Sequence, residues 1–125
     1  MFEAYGWASA VEVPDFERLQ EQIDRARIPG HSEISLHRDL NHVAVITVAA
    51  SRNHRLESII ELFRWLASHA PAAHGLLFVR DQESVHSNEY RAWCLIRGDL
   101  TERLDPFFSP CIPTIEDPYD PIEEG

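Results

Sequence analysis

The sequence predicts an α+β fold: one layer of mainly antiparallel sheet, ordered β-α-β-β-α-β-β, with both helices on one face. Three observations carry that reading. First, an apolar run, Val43-Ala44-Val45-Ile46-Thr47-Val48-Ala49-Ala50, leads through a long helical pattern into a second one, Gly75-Leu76-Leu77-Phe78-Val79. Second, Phe2–Ala8, Glu33–Arg38 and Glu89–Arg97 alternate with the period of a half-buried strand. Third, 125 residues make a single domain, residues 1–125, long enough to bury a core without disulfide or metal staples. The first six elements match a ferredoxin-like plan, for which the strand order is 2-3-1-4-5.

Taken in order, Phe2–Ala8 sets Phe2, Ala4, Gly6 and Ala8 on one face and Glu3, Tyr5 and Trp7 on the other. Pro14 suits the first turn of a helix, and Asp15 and Glu17 suit the positive end of its dipole. Phe16, Leu19, Ile23 and Ala26 form its buried stripe, Arg25 and Arg27 lie in its last turn, and Pro29-Gly30 stops it. Glu33–Arg38 points Ile34 and Leu36 inward, and Asp39-Leu40-Asn41 turns the chain into the run from Val43. That run and Gly75–Val79 are apolar on both faces, which marks interior strands.

The helix between them is the main apolar lid. Leu56, Ile59, Ile60, Phe63, Leu66 and Ala67 share a stripe of period 3.6, Asn53 is the expected N-cap and Pro71 the stop. With Leu56 at zero, Trp65 falls at about 180° and Leu62 near 240°. Together with His69 they form a second ridge. Either the chain's own tail covers it or it is a partner surface, since aromatics enrich binding hot spots.

Beyond a polar loop, Gln82–Asn88, the strand Glu89–Arg97 is read with Tyr90, Ala92, Cys94 and Ile96 on one face and Arg91, Trp93 and Leu95 on the other. Gly98-Asp99 is the expected hairpin turn, and Leu100–Leu104 an edge strand. The face away from the helices would then show Tyr5, Trp7, His37, Arg91 and Trp93, a large aromatic patch to leave in water. Asp105–Tyr119 is the expected cover. Its prolines forbid helix, yet Phe107, Phe108, Ile112 and Ile115 make it too apolar for a disordered tail. It reads as an ordered, Pro-rich strap, and residues 105–125 as an extended acidic C-terminal segment.

The formal charge is −10, unevenly spread. From Asp99 to Gly125 eight acids face one base, Arg103, so that segment carries −7 and the rest of the chain −3. This argues against nucleic acid and anionic membrane and for a basic protein partner. Met1-Phe2-Glu3 opens without the basic and apolar regions of a signal peptide, and no apolar run approaches a membrane span. Cys94 and Cys111 form no CxxC pair. The expectation is a cytoplasmic protein with free thiols, a monomer or weak homodimer.

No catalytic or metal-binding constellation emerges. Seven histidines include no HExxH, no HxH and no Cys/His cluster, and there is no Gly-rich phosphate loop and no GxSxG. No cofactor and no metal is expected. His54 could serve as a general base, but its place at a helix start has a structural explanation. Glu116-Asp117 reads as a solvated or partner-facing surface.

A resemblance draws these threads together. Tyr5-Gly6-Trp7, Ser51-Arg52-Asn53-His54-Arg55, Pro71 with Gly75-Leu76-Leu77-Phe78-Val79-Arg80-Asp81, and Asp105-Pro106-Phe107-Phe108-Ser109-Pro110-Cys111-Ile112-Pro113-Thr114-Ile115-Glu116-Asp117 occur in that order. The pattern resembles the Immunity protein 7 family of bacterial polymorphic-toxin and contact-dependent competition systems. His74 stands where that family's pattern leads one to expect an aromatic. The resemblance implies a non-enzymatic, cytoplasmic protein that binds and neutralises a cognate toxin domain. The acidic charge adds a nuclease as the expected target, occluded at its active site, because nucleases are basic where they hold phosphate. The expected partner-binding residues are Glu116, Asp117, Asp120, Trp65, Leu62, Tyr5, Trp7 and Trp93. A small enzyme using His54 and nearby acids, and an adaptor domain for another basic protein, are the competing readings.

Overall fold

A computed structural model describes residues 1–10, 16–38, 41, 43–52, 57–85 and 87–109. Its elements are β1 (Phe2–Ala10), α1 (Phe16–Ala26), β2 (Ser32–Arg38), β3 (Ala44–Arg52), α2 (Glu57–His69), β4 (His74–Asp81), β5 (Arg91–Ile96) and β6 (Asp99–Leu104). The six strands form one open sheet in the order β2-β3-β1-β4-β5-β6, and every neighbouring pair is antiparallel. Each helix joins strands that flank a third. α1 carries the chain from β1 past β3 to β2, and α2 from β3 past β1 to β4. Relative to the five-strand run 2-3-1-4-5, the sheet gains β6 at its edge.

The core lies between the helices and one face of this sheet. Leu19, Ile23 and Ala26 of α1 and Ile59, Ile60, Phe63 and Leu66 of α2 are buried there, with Ile46 and Val48 of β3 and Leu77 and Val79 of β4. β1 lies near the middle of the sheet and presents Ala4, Gly6 and Ala8 inward, which leaves room for the larger helix side chains. Two side chains fasten the helices near their ends. Ser58 Oγ, in the first turn of α2, donates to Ala26 O at the end of α1 at 3.1 Å. The Arg27 guanidinium donates through Nε and Nη2 to Ile34 O at 3.2 and 2.8 Å, tying α1 to β2. Gly30, at φ 81°, supplies the left-handed turn between them.

The last hairpin differs from expectation in two ways. The two-residue turn is Arg97-Gly98, with Ile96 opposite Asp99, rather than Gly98-Asp99. Both of its residues have positive φ, 51° and 82°, the backbone of a type I′ turn, whose twist matches that of the flanking strands. The faces of β5 are also reversed. Leu95 is the fully buried residue of this strand and stands opposite Gly75 on the helix side. Period-two alternation carries Trp93 and Arg91 to that side with it, opposite Leu77 and Val79. Ala92, Cys94 and Ile96 therefore face away from the helices.

The second ridge of α2 is likewise resolved against an exposed surface at Leu62, which is only 2% exposed and belongs to the core. α2 touches both β5 and β6, so the sheet's extra hairpin widens the buried side of the helix. The expected N-cap Asn53, His54, the start of α1 at Pro14 and the strap beyond Ser109 lie outside the described residues.

Candidate functional site

The sheet face away from the helices carries a pocket built from four aromatic side chains. Tyr5 of β1 and Phe78 of β4 are direct cross-strand partners, so their rings share this face. On the far side of Phe78 the partner is Ala92 of β5, whose small side chain leaves a gap. Tyr90, just before β5, and Phe108, just after β6, wall that gap. The Phe108 ring meets Phe78 edge-on at 5.5 Å between centroids and Tyr90 at 5.9 Å. Together Tyr5, Phe78, Tyr90 and Phe108 line an almost wholly apolar cavity of about 230 Å³.

Asp105 holds Phe108 in place. It is 2% exposed, its backbone N–H donates to Tyr90 O at 2.9 Å, and its Oδ2 accepts the Phe108 N–H at 2.6 Å. Ser109 Oγ then accepts the Tyr90 N–H at 2.9 Å. A buried carboxylate is costly unless bonded, and this one caps the turn that aims Phe108 at the sheet. On the opposite rim, the Tyr5 phenol donates to Glu3 Oε1 at 2.8 Å, and Arg80 Nη1 stands 3.8 Å from Glu3 Oε2. The hydrogen bond to this carboxylate, then burial and the charge of Glu3, push the Tyr5 phenol up to about 12, so it remains a neutral donor at physiological pH. Trp7 meets His74 edge-on at 5.5 Å on the same face. Tyr5 is 41% exposed, Trp7 39% and Phe108 56%.

The expected partner residues do not form one surface. Tyr5 and Trp7 share the open face. Trp65 and Trp93 lie on the helix side, both half-buried against the core. There Trp65 stacks on His69 with centroids 4.7 Å apart, and the Arg64 guanidinium sits 5.7 Å from the Trp93 ring centre. Both indole N–H groups are buried without an acceptor. Leu62 is in the core, and Glu116, Asp117 and Asp120 lie outside the described residues. Sequence reasoning missed Phe78 and Tyr90 as members of the open face. The signal for Phe78 was its place opposite Tyr5, which becomes visible only once β1 and β4 are paired.

Among the described residues no group of three His, Cys, Asp or Glu side chains is placed to hold a metal ion. No described helix is long and apolar enough to cross a membrane. The described pocket offers apolar contact, with the Glu3 carboxylate and the Arg80 guanidinium at its rim. A family model described as Immunity protein 7 matches residues 1–117. The chain belongs to the Immunity protein 7 family. Membership places it among immunity proteins, whose partner is a cognate toxin protein. The Immunity protein 7 match takes in the whole sheet, both helices and the pocket, and continues past Ser109 to Asp117. It leaves out the acidic residues 118–125. Searches of curated proteins and of solved structures gave no match.

Proposed function

We propose that this protein binds the toxin domain of a polymorphic-toxin or contact-dependent competition system in the cytoplasm of its own cell and blocks the toxin's active site. The family match over residues 1–117 carries the reading. The charge of −10 supports a basic target, and a nuclease best fits a −7 segment that competes with phosphate for a cationic surface. The test is rescue. Cells expressing the C-terminal domain of the toxin encoded beside this gene should survive when this chain is co-expressed and die without it. Death in both cases would sink the reading.

Protection should not depend on chemistry at His54. His54→Ala is expected to keep full protection of toxin-expressing cells. Loss of protection with unchanged melting temperature and toxin affinity would instead reveal a catalytic role.

The acids of the C-terminal segment divide by role. Exposed charge pairs are worth only ~0.2–1 kcal/mol, yet electrostatic steering raises association rates ~10–10³-fold. Neutralising Asp120, Glu123 and Glu124 should therefore slow association and flatten its salt dependence. Glu116 and Asp117 end the matched family region, and breaking a desolvated contact there should speed dissociation at a cost of ~2–5 kcal/mol. Stopped-flow association and dissociation rates at low and high salt separate the two sets. Identical behaviour of both would reduce the segment to a solubility device.

A further inference from the structure

We propose that the Tyr5–Phe78–Tyr90–Phe108 pocket is the socket for one large apolar side chain of the toxin, presented on a basic surface that the net negative charge of this chain attracts. The proposal rests on the immunity reading above and assigns it a face and an anchor. At about 230 Å³ the pocket falls below the ~300–1,000 Å³ of small-molecule sites, and its walls are apolar. That suits a single side chain. Rigid aromatic walls around a desolvated anchor are how a few residues come to carry most of a binding energy.

The charge pattern chooses among occupants. Phe108 is part of the pocket's wall rather than its filling, held there by Asp105, and Ser109 next to it is held by Tyr90. The sixteen residues after Ser109 contain five acids, Glu116, Asp117, Asp120, Glu123 and Glu124, and no base. They leave from the pocket's rim. A fully extended chain covers at most ~3.6 Å per residue, so Glu116 stays within about 25 Å of Ser109. Folding these five acids over residues 1–109, which carry the other −5, adds repulsion, and a second copy of the chain adds more, whereas a basic partner relieves it.

The test uses the full chain and a catalytically dead form of the neighbouring toxin's C-terminal domain. Phe108→Ala and Tyr5→Ala truncate exposed rings, so both variants should fold, with circular dichroism unchanged and melting within about 5 °C of wild type. Each should weaken toxin binding by about 30-fold or more, mainly through faster dissociation. Phe107→Ala, at an exposed ring that does not line the pocket, should change affinity less than about 3-fold. Hydrogen exchange should slow in β1, β4 and β5 when toxin is added to wild type. Affinity within 3-fold of wild type in folded Phe108→Ala and Tyr5→Ala overturns the proposal. So does a large melting loss with unchanged affinity, the mark of the chain's own tail in the pocket, or a concentration-dependent dimer that Phe108→Ala abolishes. If wild type itself neither binds nor protects against the toxin, the immunity reading has failed and the socket falls with it.

Discussion

Gly6→Ala and Gly75→Ala should each prevent the centre of the sheet from forming as it does in the native chain. A Cβ on Gly6 would stand 2.2 Å from Leu76 O and 2.8 Å from Leu77 Cα. One on Gly75 would stand 2.3 Å from Trp7 O and 2.7 Å from Ala8 Cα. These are backbone atoms of the neighbouring strand, far inside the ~3.5–4.0 Å of carbon contact, and no rotamer change relieves them. β1 and β4 must separate, and the helices are packed on those strands. The expected cost exceeds about 3 kcal/mol, toward the upper end of overpacking effects. At this length that is a melting loss on the order of 10 °C or more, and little soluble protein is expected. Gly30→Ala is the contrast. Nothing lies within 4 Å of its added Cβ, so only the left-handed backbone at φ 81° resists, at ~1–2 kcal/mol. Thermal and urea unfolding of the three variants test the ranking. Gly6→Ala melting within 3 °C of wild type would show that the strands do not approach this closely.

Removing residues 105–125 should cause aggregation or a clear drop in melting temperature. The truncation deletes Phe108 from between Phe78 and Tyr90, exposes their rings to water, and leaves Tyr90 N–H without its Ser109 acceptor. It also takes away the Asp105 N–H that Tyr90 O accepts at 2.9 Å. Removing only residues 118–125, outside the family match, should leave stability within about 0.5 kcal/mol. Calorimetry and size-exclusion chromatography on both truncations decide this. If the longer truncation is as stable and as monomeric as the full chain, residues 105–109 do not anchor the segment.

Much of the framework was legible in the residues themselves. The buried stripes of Leu19–Ile23–Ala26 and Ile59–Ile60–Phe63–Leu66 follow from a 3.6-residue period, and the inward Phe2, Ala4 and Ala8 from strict alternation in β1. These are local signals, repeated several times in one segment, and tertiary contacts only confirm the face they already prefer. The family was legible too, because its motifs are short runs read directly along the chain.

The tertiary structure decided what local periodicity leaves symmetric. Both faces of β5 are apolar enough to be inner ones, so alternation groups Trp93 with Leu95 without saying where they point. Pairing with β4 sets Leu95 against Gly75 and Trp93 against Leu77, beneath α2. Leu62 became core because β5 and β6 both reach α2, a contact between segments some thirty residues apart. The aromatic pocket has the same origin. Tyr5, Phe78, Tyr90 and Phe108 come from four places in the chain, and only the register of β1, β4 and β5, with the Asp105 turn, brings the rings together.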